Sequence, residues 1–185
     1  TYNGKPWYLI GSGMESFCKP WSNTLDEWRA YLNMLSRRGI NRVRFFPWAF
    51  CWEGDISKYS PWRVVSAKPL KFDLLHWNDY YWRSIKKLLS MAQSRGIVVE
   101  YILFDYCSLP SRVWGRNPWS QKAGGACPGH SGKPSFFSLD DENNLDLFKL
   151  PCSDKWPWQR KHQWLEQAWV KKNIDELGRF PNIYW

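Results

Sequence analysis

The sequence predicts an α/β fold. It is read as a (β/α)8-type arrangement of which residues 1–185 form an N-terminal half-barrel of about four parallel strands, a single partial domain. Three observations predict it. Amphipathic helical stretches alternate with short β-prone runs. Each helix stops near a glycine and passes to the next strand through a short link. Each strand passes to the next helix through a long segment.

The elements follow in order. Trp7 to Ile10 reads as a first strand. Leu25 to Arg38 carries Leu25, Trp28, Leu32 and Leu35 at helical spacing. Thr24 with Glu27 three residues on makes a capping box, and Gly39 ends the helix. Residues 40–46 are β-prone. Asn78 caps a second helix running to about Arg95, with Tyr81, Ile85, Leu88 and Leu89 inward and Gly96 as its stop. Residues 97–104 give the strongest strand signal in the chain. A third helix runs from about Gln159 to Leu177, with Trp164, Ala168, Ile174 and Leu177 as expected inner positions. Gly178 follows, then a strand within 180–185.

This β-α-β-α-β-α-β order implies parallel strands joined by right-handed crossovers. The long segments all follow strands, at 11–24, 47–77 and 105–158. The strand C-terminal ends are therefore expected to carry the functional surface. Gly11-Ser12-Gly13 follows the first strand, but no third glycine and no helix start come after it. The dinucleotide-binding fingerprint fails, and the loop asymmetry favours the barrel.

Composition narrows the function classes. The chain of 185 residues is 44% hydrophobic and 23% charged, which excludes a disordered tail. No apolar run reaches the ~20 residues of a membrane-spanning helix. No basic-then-apolar leader opens residues 1–185, so no signal peptide is expected within them. Fifteen Trp and a net charge of +9 leave two readings, stacking on sugar rings or stacking on bases beside phosphates. Arg37-Arg38, Lys86-Lys87, Arg160-Lys161 and Lys171-Lys172 fall on helices or their ends, apart from the loop Trp residues. A nucleic-acid groove would mix the two, so no nucleic-acid partner is expected.

Five cysteines (Cys18, Cys51, Cys107, Cys127, Cys152) include no CxxC pair, and His76, His130 and His162 have no ligand spacing. No zinc site is expected. Cys127 and Cys152 share a long loop; a disulfide and reduced thiols both remain open. The acidic run at 140–144 lacks EF-hand spacing and reads as an exposed turn.

Several segments together resemble the clan A glycoside hydrolases, the cellulase and mannanase-like barrel enzymes. Gly4-Lys5-Pro6-Trp7-Tyr8-Leu9-Ile10-Gly11 is similar to their opening strand. Gly39-Ile40-Asn41-x-Val43-Arg44 is similar to their second strand, G-x-N-x-V-R. Phe72-Asp73-Leu74, Tyr80-Tyr81-Trp82 and Ala92-x-x-x-Gly96-Ile97-x-Val99 resemble the second helix and third strand. Trp114-x-x-Asn117-Pro118 and the helix near Trp164 to Val170 fit the same pattern. Pro181-Asn182-Ile183-Tyr184-Trp185 looks like strand four. The resemblance covers half of the family's barrel. In the family the acid/base Glu follows strand four and the nucleophile Glu lies on strand seven, so neither falls within residues 1–185.

The resemblance implies a retaining hydrolase of β-linked polysaccharide that needs no organic cofactor. Such enzymes place two carboxyls ~5–5.5 Å apart. It also implies that Arg44 hydrogen-bonds a catalytic carboxylate at the barrel mouth, while Arg42 is expected on the opposite face with a structural role. Asp105, directly after strand three, is expected to support the site or contact substrate. Glu15 is a candidate for a sugar hydroxyl, whereas Glu53 and Asp55 read as loop charges. Trp48, Trp52, Trp114, Asn117 and Trp119 lie in loops after strands and are the expected substrate-binding residues, with Trp21 and Trp62 as further candidates. Trp28, Trp82, Trp164 and Trp169 fall on helices and are expected to pack. The expected partners are a carbohydrate and either a missing C-terminal half or a second copy, because four strands leave two open edges. A secreted or extracellular setting is favoured. The reading from a different class is a non-catalytic carbohydrate-binding or structural half-barrel that self-associates.

Overall fold

The structure, a computed structural model, describes residues 8–11, 25–47, 60–104, 115–125, 139–140, 144–145 and 157–185. Helix α1 spans Leu25–Arg37 and buries Trp28, Leu32 and Leu35 at spacings of four and three. Helix α2 spans Asp79–Gln93. Asn78 caps it, its side chain accepting from the Tyr80 N–H. Gly39 and Gly96 sit at φ +72° and +66°, past the ends of α1 and α2. The left-handed turn at each lets the next residue bond back into the helix, Ile40 N–H to Leu35 O and Ile97 N–H to Ala92 O, both at 3.0 Å. That closure aims the chain directly into strands β1 (Arg42–Phe45) and β4 (Val98–Tyr101).

These strands and β7 (Ile183–Tyr184) form a parallel sheet in the order β1-β4-β7. Sheet order follows chain order, as expected for strand–helix repeats. The expected first strand is reduced to one parallel bridge, Gly11 to Arg42. The Asn41 side chain adds to the backbone bonds from Asn41 and Arg42 N–H to Ile10 O: its Oδ1 accepts from Ile10 N–H at 2.7 Å and its Nδ2 donates to Tyr8 O at 2.9 Å.

Both strands alternate half-buried and buried positions. Val43, Phe45, Val99 and Tyr101 face α1 and α2: the Phe45 ring meets Trp28, and the Tyr101 hydroxyl hydrogen-bonds that of Tyr81 at 2.8 Å. Phe45, Tyr101 and Trp185 line up as ring neighbours, with centroids 5.4 and 5.3 Å apart. Asn182 ties β7 to this core by donating to Leu89 O and Ile97 O.

Three sequence expectations are corrected. The segment between β1 and α2 contains an antiparallel hairpin, β2 (Trp62–Ala67) and β3 (Leu70–Trp77). Leu70, Phe72 and Leu74 alternate inward on β3, a period of two that long-loop reasoning overlooked. Trp62 is accordingly a fully buried strand residue rather than a loop aromatic. Helix α3 (Pro157–Leu177) buries Leu165, Trp169, Asn173 and Leu177, while Trp164 is 54% and Ile174 56% exposed. Its inward face keeps strict four-residue spacing, with Leu177 inward as expected and Trp164 and Ile174 turned outward against expectation. Two further two-residue strands, β5 (Leu139–Asp140) and β6 (Asn144–Leu145), pair antiparallel. The described residues form this mixed α/β arrangement and no closed barrel.

Candidate functional site

The parallel register decides which side chains meet. Arg44 lies beside Glu100 across β1 and β4, and Glu100 lies beside Tyr184 across β4 and β7. All three point to the face turned away from α1 and α2. Arg42 shares that face, because residues two apart on a strand point the same way. Its expected placement opposite Arg44 is therefore corrected.

Glu100 sits between the two guanidiniums. Its Oε1 accepts from Arg44 Nη2 at 2.7 Å. Its Oε2 accepts from Arg42 Nε at 3.0 Å and also from Arg42 Nη2. Side-chain exposure is 13% for Glu100, 29% for Arg42 and 35% for Arg44, so the group is sheltered but reachable. Burial alone would raise the Glu100 carboxyl. The hydrogen bonds from Arg44 and Arg42 outweigh it and hold the carboxyl below its ordinary value. The same bonds keep both guanidiniums firmly charged. Burial and the neighbouring Glu100 raise the Tyr184 hydroxyl, which stays protonated at neutral pH. Among the described residues, Arg42, Arg44, Glu100 and Tyr184 form one row across the three strands, with Glu100 engaged through both carboxylate oxygens.

Sequence reasoning singled out Arg44 and missed Glu100 and Tyr184. A signal existed: Glu100 is the one charge in the run Ile97-Val98-Val99-Glu100-Tyr101-Ile102-Leu103-Phe104. An acid inside so apolar a strand requires a partner.

A second constellation lies just past the C-terminal end of β4. Trp62 is surrounded by Trp77, Trp119, Trp169 and Phe72, with centroids between 5.0 and 6.5 Å. Two indole N–H groups here donate to backbone: Trp169 to Leu103 O at 3.0 Å and the adjoining Trp82 to Pro61 O at 3.2 Å. Lys172 lies over the faces of Trp82 and Trp77, at 5.4 and 5.8 Å.

Of the expected substrate-binding residues, Asn117 and Trp119 belong to this packing. Both are buried. Asn117 Oδ1 accepts from Trp119 N–H at 2.9 Å and closes the turn that leads into a short 3-10 helix, Gln121–Ala123. Gly124 follows at φ +112°, where a Cβ would stand 2.1 Å from Phe72 O. This segment is thereby seated against the hairpin. Trp28, Trp82 and Trp169 pack as expected. Glu15, Trp48, Trp52, Asp105 and Trp114, like Trp21, Glu53, Asp55, Thr24 and all five cysteines, lie outside the described residues.

Among the described residues no group of three His, Cys, Asp or Glu could hold a metal ion, and no helix is long and apolar enough to cross a membrane. Neither a protein-family model nor a curated protein sequence matches this chain.

Proposed function

We propose that the chain is the N-terminal half of a (β/α)8 glycoside hydrolase-like domain acting on β-linked polysaccharide by a retaining mechanism. The catalytic glutamates of that mechanism fall outside residues 1–185. The observation that carries the reading is the parallel sheet in chain order, with Arg44 on the face away from the helices. In a barrel, that face is the interior, and the strand C-terminal ends carry the chemistry. An arginine there fits a carboxylate through its planar fork. The hairpin and the 115–125 segment sit near the end of β4, where a barrel enzyme builds its substrate cleft. The sheet edges also support it. Tyr8, Leu9 and Ile10 are exposed beside β1, and Trp185 is exposed beside β7. Further strands, from the same polypeptide or from a second copy, would cover both.

The test is endo-hydrolysis. A polypeptide containing residues 1–185 and the remaining barrel strands should release reducing ends from a β-linked glucan or mannan, with anomeric configuration retained by NMR. Residues 1–185 alone should release none. Inversion at the anomeric carbon, or turnover by residues 1–185 alone, would overturn the mechanism.

A further inference from the structure

We propose that a basic groove on the outer side of the helix layer binds a small organic phosphate or sulfate ester. The inference is separate from the glycan reading and stands on different residues, so each can fail alone.

The groove encloses about 520 Å³, a volume that suits a small ligand. Its cations come from three elements: Arg29 from α1, Lys86 and Lys87 from α2, and Arg179 from the turn between α3 and β7. Met91 and Phe180 pack against the core and give the groove an apolar floor. No carboxylate lines it among the described residues. Helix dipoles favour cations at C-terminal ends, which does not account for this charge. Lys86 and Lys87 lie in the middle of α2, and Arg29 lies toward the N-terminal end of α1. Arg29 keeps Asp26 as its partner. Lys87 and Arg179 are exposed and meet no carboxylate among the described residues; the Arg179 guanidinium lies over the Phe180 ring at 5.6 Å. Lys86 bonds one oxygen of Glu176 at 2.6 Å, while Lys172 bonds the other at 2.6 Å. Lys86 can therefore turn to a ligand while Glu176 keeps a cation. Ammonium and guanidinium groups bind the oxygens of a phosphate or sulfate group. A ring on the ester would cover Met91 and Phe180. The groove crosses α2, which packs between α1 and α3. Completing a barrel adds strands and helices beyond the β1 and β7 edges and leaves the outer face of α2 open.

The experiment is a titration of the full 185-residue chain followed by amide NMR at low salt. The probes are phenyl phosphate, phenyl sulfate, inorganic phosphate and neutral benzyl alcohol. At least one ester should shift residues of α2 and the 178–180 turn, and bind about five- to ten-fold more tightly than inorganic phosphate, the gain from burying the ring. Raising salt should weaken it. Lys87→Gln combined with Arg179→Gln should lower ester affinity about five-fold or more. Lys171→Gln removes a cation outside the groove and should leave that affinity unchanged. A preference for one ester over the other supports the site and identifies which group it takes. An equal loss in Lys171→Gln overturns the proposal in favour of attraction to net charge. Inorganic phosphate or benzyl alcohol binding as tightly as the esters overturns it, as does the absence of ester shifts at α2 and the turn. The hydrolysis assay judges the glycan reading separately.

Discussion

Glu100 shows what one residue decides. It is the shared acceptor of Arg42 and Arg44, so removing its charge leaves two sheltered guanidiniums repelling each other. Glu100→Gln should lower stability by about 1–3 kcal/mol, the usual cost of an unsatisfied polar group, measured by urea unfolding. Arg44→Gln should cost less, because Arg42 still holds the carboxylate. Trp169 is the comparable residue in the aromatic cluster. It is fully buried, touches Trp62, Trp77 and Trp82, and donates to Leu103 O. Trp169→Ala should cost about 3–5 kcal/mol, the range for large aromatic truncation in a core. Restored stability in Trp169→Phe would show that volume outweighs the hydrogen bond.

At the scale of elements, caps and turns decide where helices and strands begin. Asn78 serves two elements at once: Oδ1 accepts from Tyr80 N–H at the start of α2, and Nδ2 donates to Ser60 O ahead of β2. Asn78→Ala should therefore cost more than the about 1 kcal/mol of a simple cap, and Asn78→Asp should recover only the cap. Calorimetric Tm values for the pair distinguish the two contributions. Gly124 fixes how the 115–125 segment meets the hairpin. Its positive φ and the nearby Phe72 carbonyl make Gly124→Ala unfavourable on two counts, so it should lose more than about 1 kcal/mol. Both elements were only partly legible. The Asn78 cap is local and readable from its neighbours. The hairpin shows in the alternation of Leu70, Phe72 and Leu74, but its buried face is completed by Trp62, which meets Phe72 and is itself packed by Trp119 and Trp169 from distant parts of the chain.

For the molecule as a whole, acid sensitivity follows from its paired carboxylates. Hydrogen bonds from Lys172 and Lys86 hold the Glu176 carboxyl below its ordinary value. For Glu100 and Asp73, burial pushes the carboxyl up, but the arginine bonds, joined at Asp73 by Leu75 N–H and His76, push it further down. A carboxyl lowered in the folded state stabilises above its unfolded-state pKa, and that stability disappears as pH falls through the folded value. Stability should thus be level near neutrality and fall below about pH 5. Glu100→Gln and Glu176→Gln should each flatten that fall in urea unfolding repeated across pH. An unchanged slope in both would mean these pairs are not what acid breaks.

The sequence by itself determined the alternation of helices and strands, the glycine stops at Gly39 and Gly96, and the core faces of α1 and α2, because these depend on near neighbours and a regular period. It also pointed to Arg44. Only the tertiary structure decided that Arg42 joins Arg44 on Glu100, that Asn117 and Trp119 are buried, and that α3 turns Trp164 outward. Each of these depends on a register or a contact between residues far apart in the chain. Local propensity carries no information about which strand lies beside which, and it is the neighbour that determines whether a charge finds a partner or an indole finds a core.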